Sequence, residues 1–167
     1  MDHSAKLSKH FKAVHFGGNW SDSNLKEVLI DVTLEEALTK IGSLNTILAL
    51  TFHLKYYVDG VLSVLEGGAL TIRDKFSYDH PDLKDEHEWQ AFLEEFWEAA
   101  NRFGQQVGML NPLQIEADFS DPKYGDYFSN ILGIIEHQHY HLGQIVLLKK
   151  LIRHTPDPKS AKIKPSA

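Results

Sequence analysis

The run DPKYGDYFSNILGIIEHQHYHLGQIVLLKKLIR, from Asp121 to Arg153, decides the fold. Asp121-Pro122 offers an N-cap followed by proline at the first helical position. Helices favour this order because the proline ring presets φ and lacks an N–H that the first turn leaves unbonded anyway. Lys149, Lys150 and Arg153 suit the negative carbonyl end of a helix, and Thr155-Pro156 stops it. The pattern predicts one long helix over 121–153. Three histidines in five residues interrupt its run of Ile, Leu and Val. Each helical residue advances about 100°, so His137 and His141 stand about 40° and one turn apart, while His139 stands about 200° from each. The pair shares a face with Ile134, Gln144, Ile145 and Leu148 and points inward.

Working outward, Thr33 and Glu36 form a capping box, and the segment from Leu34 to Leu65 contains no proline before the stop at Gly67-Gly68. This predicts a second long helix, with Leu38, Ile41, Leu44, Leu48 and Phe52 among its apolar positions. Asp85 and Glu88 open a third, whose stripe of Trp89, Phe92, Leu93, Phe96, Ala100, Phe103, Val107 and Leu110 has a 3.6-residue period with acids opposite. Asn111-Pro112 ends it. A shorter amphipathic helix over 5–14 carries Leu7, Phe11 and Val14 before Gly17-Gly18, and a single turn follows at 25–30. No segment alternates like a strand for long. The expected fold is all-α, a four-helix bundle over residues 1–154. Residues 155–167, with three prolines and three lysines, are expected to form a flexible, disordered tail.

Composition narrows the function. The 167 residues include no cysteine, which removes disulfides, thiolate zinc sites, iron–sulfur clusters and cysteine nucleophiles. The net charge of −6 is local: Asp82–Glu98 holds seven acids against one lysine, so the remainder sums to zero. No basic stripe suits a nucleic acid. The N-terminus lacks the basic-then-apolar order of a signal peptide, and no run of about 18 apolar residues predicts a membrane span. A cytoplasmic protein is expected.

The histidines carry the chemistry. An i, i+4 imidazole pair is the spacing by which one helix offers two ligands to one metal. Burying two unpartnered imidazoles would be costly, and a metal partners both. His53, midway along the second helix between Leu50 and Leu54, is the best third ligand, because His3, His10, His15, His80, His87 and His154 fall at ends or in loops. Three protein ligands leave coordination positions open for water or substrate. Glu136-x-x-His139 resembles half of a di-iron motif, but no second copy exists. Gln144, Asn130 and Tyr57 are spaced to hold a ligand ring or orient a substrate. Each residue has a plainer reading as packed, hydrogen-bonded core.

The stretch Glu136-His137-Gln138-His139-Tyr140-His141-Leu142-Gly143-Gln144-Ile145 resembles the closing signature of the DinB-like (YfiT-like) metalloprotein superfamily: a histidine, three residues, a second histidine, then x-Gly-Gln and an aliphatic. His53 matches the mid-helix histidine that completes that family's triad, and Trp20 and Trp89 fit its layout. The resemblance spans roughly residues 5–153. It implies an up-down-down-up four-helix bundle, a divalent transition metal on His53, His137 and His141, and often a homodimer. Zinc or nickel is favoured; imidazole also suits iron and copper, and manganese stays an open alternative. Characterised relatives include transferases and isomerases that use low-molecular-weight thiols. The expected function is a metal-dependent thiol S-transferase or hydrolase acting on a small molecule, the metal serving as Lewis acid. The alternatives are a non-catalytic metal-binding module and a stress-related dimeric interaction protein. The second and fourth helices are apolar nearly all round, more than one bundle needs, which also argues for a homodimer.

Overall fold

In the computed structural model, which describes residues 3–154, the chain is all-helical. Seven α-helices are present among the described residues: α1 His3–Phe16, α2 Leu25–Leu29, α3 Leu34–Leu38, α4 Ile47–Leu65, α5 Glu86–Met109, α6 Pro112–Ile115 and α7 Tyr127–His154. Two 3-10 turns, Asp74–Phe76 and Pro122–Tyr124, lie in the connectors. The expected tail at 155–167 lies outside the described residues.

Four helices are long enough to bury a full stripe, and their directions follow from who meets whom. α1 runs antiparallel to α5: Ser4 Oγ donates to the Leu110 carbonyl at 2.7 Å and Ser8 Oγ to Gly104 at 2.5 Å. α4 runs antiparallel to α7, with His53 beside His141 and Tyr57 beside His137. α4 runs parallel to α5, since Lys55 faces Glu95 and Glu66 pairs with Arg102. α1 runs parallel to α7, with His3 against Phe128 and His10 against His139. Between them lie Phe11, Leu54, Trp89, Phe96, Phe103, Ile131 and Ile135, all buried. The acids Glu86, Glu88, Glu94, Glu95 and Glu98 of α5 face outward and are exposed.

Two expected helices are shorter than their sequence patterns. The Thr33–Glu36 capping box forms, but its helix ends at Leu38, where Thr39 turns extended and bonds back to the Glu35 carbonyl. Gly42 takes φ +54°, and Thr46 caps a fresh start by accepting from the Ala49 amide at 3.1 Å. Polar caps at both sides of a glycine compete with continuation, and here they win. Leu38 and Leu44 therefore project into solvent instead of continuing a stripe. The last helix likewise starts at Tyr127, not at Asp121. Asp121 caps only the 3-10 turn, which Gly125 ends at φ +77°, and Asp126 accepts from the Ser129 amide to begin α7. An isolated antiparallel bridge, Asp118 with Asp126, holds that re-entry.

α4 meets the length and hydropathy of a membrane-crossing helix, yet 67% of that span is buried inside the protein, as in a core helix. Gly60 in α4 admits the connector: a Cβ there would stand 2.5 Å from the Ile72 side chain, so only glycine lets Ile72 lie on the helix.

His15, expected at a helix end, is fully buried in the last turn of α1. Its Nδ1 donates to the Phe11 carbonyl at 3.0 Å, while its Nε2 and Gln138 Oε1 are buried without hydrogen-bond partners. Burial pushes its pKa down to about 4. The unfolded chain takes up this proton at a higher pH than the folded one. The stability from a neutral His15 is therefore complete above about pH 6.5 and lost as pH falls through about 4. His15→Leu should flatten the fall in urea midpoint over this window, where His15 accounts for up to about 3 kcal/mol. An unchanged pH slope in the variant would show that His15 does not titrate with the fold.

Candidate metal centre

His53 projects from the middle of α4, and His137 and His141 project from successive turns of α7. Their available nitrogens all lie within 4.8 Å of one another. His53 Nε2 and His137 Nε2 are 3.0 Å apart. That is less than twice an imidazole–zinc bond of about 2.0–2.1 Å, so one ion can bridge them. The rings meet edge to face, with centroids at 4.9, 4.9 and 4.6 Å. The antiparallel course of α4 and α7 makes this possible, and the bond from Gln138 Nε2 to the Leu54 carbonyl, 3.3 Å, sets their register beside the rings.

Hydrogen bonds select the tautomers. His53 Nδ1 donates to the Ser77 carbonyl at 3.2 Å, and His141 Nδ1 donates to Gln144 Oε1 at 2.7 Å. Each of these rings thus presents its Nε2 lone pair, the arrangement that outer partners impose on ligating histidines. With its own proton on Nε2, His137 donates to His53; moved to Nδ1, that proton leaves the His137 lone pair pointing at the same space. Burial holds the pKa of all three rings down, that of His137 to about 4. His141 lowers the other two further, while the Ser77 and Gln144 bonds partly oppose the shift at His53 and His141. Neutral imidazole is the ligating form. Donor type, tautomer and spacing therefore fit a divalent transition metal.

His139 takes no part. It sits on the α1 side, its Nδ1 bonded to the Ile135 carbonyl and its ring 5.5 Å from His10. Glu136 is exposed. Of the three polar residues expected near the ligands, Gln144 bonds a ligand ring. Tyr57 packs edge-on against His53 and His137 and donates its hydroxyl to Asp74. Asn130 instead caps the carbonyls of Tyr124 and Asp126.

The sequence reading missed the connector after α4. Ser77 supplies its backbone carbonyl, and Tyr78 stacks on His53 at 4.2 Å with planes 12° apart. A main-chain acceptor has no residue signature. A tyrosine in a loop becomes informative only once the loop is known to fold back over α4.

Gln144→Leu should keep the fold, since Gln144 is only half-buried, but free the His141 ring to rotate. The expected loss of metal affinity is about 10- to 100-fold, read by competition with a chromophoric chelator. Wild-type affinity in this variant would show that the Gln144 bond is incidental.

The chain matches no protein-family model, no curated protein and no solved structure.

Proposed function

We propose that this chain is a metal-dependent enzyme of the DinB-like (YfiT-like) type, a thiol S-transferase or hydrolase built on an up-down-down-up four-helix bundle. The observation that carries the reading is the convergence of three neutral imidazoles from α4 and α7 where the half-buried His137 ring also lines an open cavity of about 670 Å³. The opposed directions of α1 with α5 and of α4 with α7, and the parallel course of the other neighbours, support the topology. Among the described residues no carboxylate or fourth histidine closes the cluster, which favours a site that receives a small molecule over a sealed structural one.

Zinc or nickel held by His53, His137 and His141 would supply Lewis acidity, lowering the pKa of a thiol or water that reaches it. The chain's own residues do the positioning. Ser77 and Gln144 fix two rings, and Tyr57 and Tyr78 wall the His53 ring and limit water beside it.

The test is elemental analysis of the purified protein, then titration of the cobalt-substituted form with a low-molecular-weight thiol. A cobalt spectrum that shifts on adding thiol supports the enzyme reading. A metal-loaded protein whose spectrum is inert to thiols, and whose fold collapses on chelation, would instead identify a structural clip.

We further propose a homodimer formed on the exposed apolar ridge of α7. Tyr140 and Leu147 stand on one side of that helix, and Leu44 lines a pocket together with Leu147. Such a ridge is costly to leave in water, and two-fold dimers are the commonest oligomers. Sedimentation at micromolar concentration should give twice the 19.0 kDa chain mass, and Leu147→Glu should give the monomer. A monomer in the unsubstituted protein would defeat the idea.

A further inference from the structure

The lining of the cavity beside His137 combines two chemistries. One is apolar: Val61, Leu70, Ile72, Phe119 and Ile134 line it. The other is a single cation, Arg73, on the connector that follows α4.

The Arg73 backbone is fixed at both ends. Its amide donates to the Tyr56 hydroxyl at 2.8 Å, and that same hydroxyl donates to the Arg73 carbonyl at 3.0 Å. The preceding residue, Ile72, is seated on Gly60 of α4. The main chain is therefore held to the helix, while the guanidinium has no ion pair or hydrogen bond among the described residues. The neighbouring carboxylate, Asp74, also belongs to the lining, and one of its oxygens accepts the Tyr57 hydroxyl at 2.9 Å. Elsewhere in the chain guanidinium groups are used: Arg102 grips Glu66, and Arg153 grips Asp31 and Glu36. Arg73 is a permanently charged fork on a fixed backbone, exposed at a cavity that also presents several apolar side chains.

We propose that Arg73 is the specificity residue of this cavity, binding the oxyanion of an organic acid whose apolar body lies along Val61, Ile72, Phe119 and Ile134. This deepens the enzyme reading above by naming its substrate class, and it rests on that reading only for what happens at the histidine end. A guanidinium pairs with a carboxylate through two parallel N–H bonds, which gives orientation as well as affinity. Anchored so, the molecule has its body in the cavity that His137 also lines. Tyr57 also lines the cavity and packs on the His137 ring.

Calorimetry on the full chain with phenylacetate and its neutral amide, phenylacetamide, tests the proposal, both zinc-loaded and metal-free. Phenylacetate should bind about tenfold more tightly than the amide in both forms. Arg73→Gln should erase the preference, and Arg73→Lys should keep part of it. The side chain is exposed, so both variants should fold normally by circular dichroism. Equal binding of acid and amide by the metal-free protein, or a preference that survives Arg73→Gln, would overturn the proposal. A preference seen only with zinc would do so too, because the carboxylate would then be sitting on the metal. Zinc content judges the other reading separately. A chain that takes up no zinc yet keeps an Arg73-dependent preference retains the anion site and loses the metal enzyme.

Discussion

Replacing His141 by alanine should reduce the metal content of the purified chain from about one ion to near none, and His53→Ala and His137→Ala should do the same. The three rings come from only two helices, so removing any one leaves two donors, too few to hold an ion against a mild chelator. Affinity should fall by on the order of a hundredfold or more, beyond the loss expected from an outer partner such as Gln144. His139→Ala is the matched control. It removes a histidine from the same five-residue stretch, but that ring lies by His10 on the α1 side. Metal analysis of the four variants should therefore show three losses and one unchanged value. Equal losses in all four would refute the assignment of the α7 faces.

Trp89→Ala should cost about 3–5 kcal/mol of stability, the largest effect expected of a single core substitution here. Trp89 is fully buried, stacks on Phe92 and donates its indole N–H to the Val32 carbonyl at 2.7 Å. Alanine leaves a cavity and strands that carbonyl. Trp89→Phe restores most of the volume but not the donor, so its loss should be smaller, about 1–3 kcal/mol. Trp20 is fully exposed, and Trp20→Ala should stay within about 0.5 kcal/mol. Guanidinium denaturation of the three variants gives the comparison. A Trp89→Ala midpoint close to wild type would mean that the α5 stripe is not the core.

The candidate ligands were legible because their signal is local. His137 and His141 declare their shared face by spacing alone, and His53 stands out as a polar residue in an apolar stretch away from helix ends. The helix stops at Gly17 and Gly67 and the stripe of α5 were legible for the same reason. The break at 39–46 was not, because Leu38, Ile41 and Leu44 continue the apolar period through it. Only competition between the caps at Thr39 and Thr46 and the turn at Gly42 reveals it. The true start of α7 was hidden by a better textual signal, Asp121-Pro122, which caps a 3-10 turn instead. His15 looked terminal along the chain but is buried in space, because its ring packs against Phe11 and Phe96. The pairing of Arg73 with the His137 cavity depends on a connector folding back over α4, which no local pattern encodes.

The order in which the long helices meet also governs how the chain finds its fold. Hydrogen bonds between α1 and α5 join residues 96 and 106 apart, and those between α4 and α7 join residues 84 apart. α1 and α4, successive long helices, run in opposite directions yet are not the principal partners of one another. Early collapse therefore cannot proceed by adding one hairpin at a time. Long loops must close before the buried aromatics reward them, so the rate should lie nearer that of mixed folds than of helical hairpin bundles. Helical signal should accordingly develop ahead of Trp89 burial in a stopped-flow refolding trace.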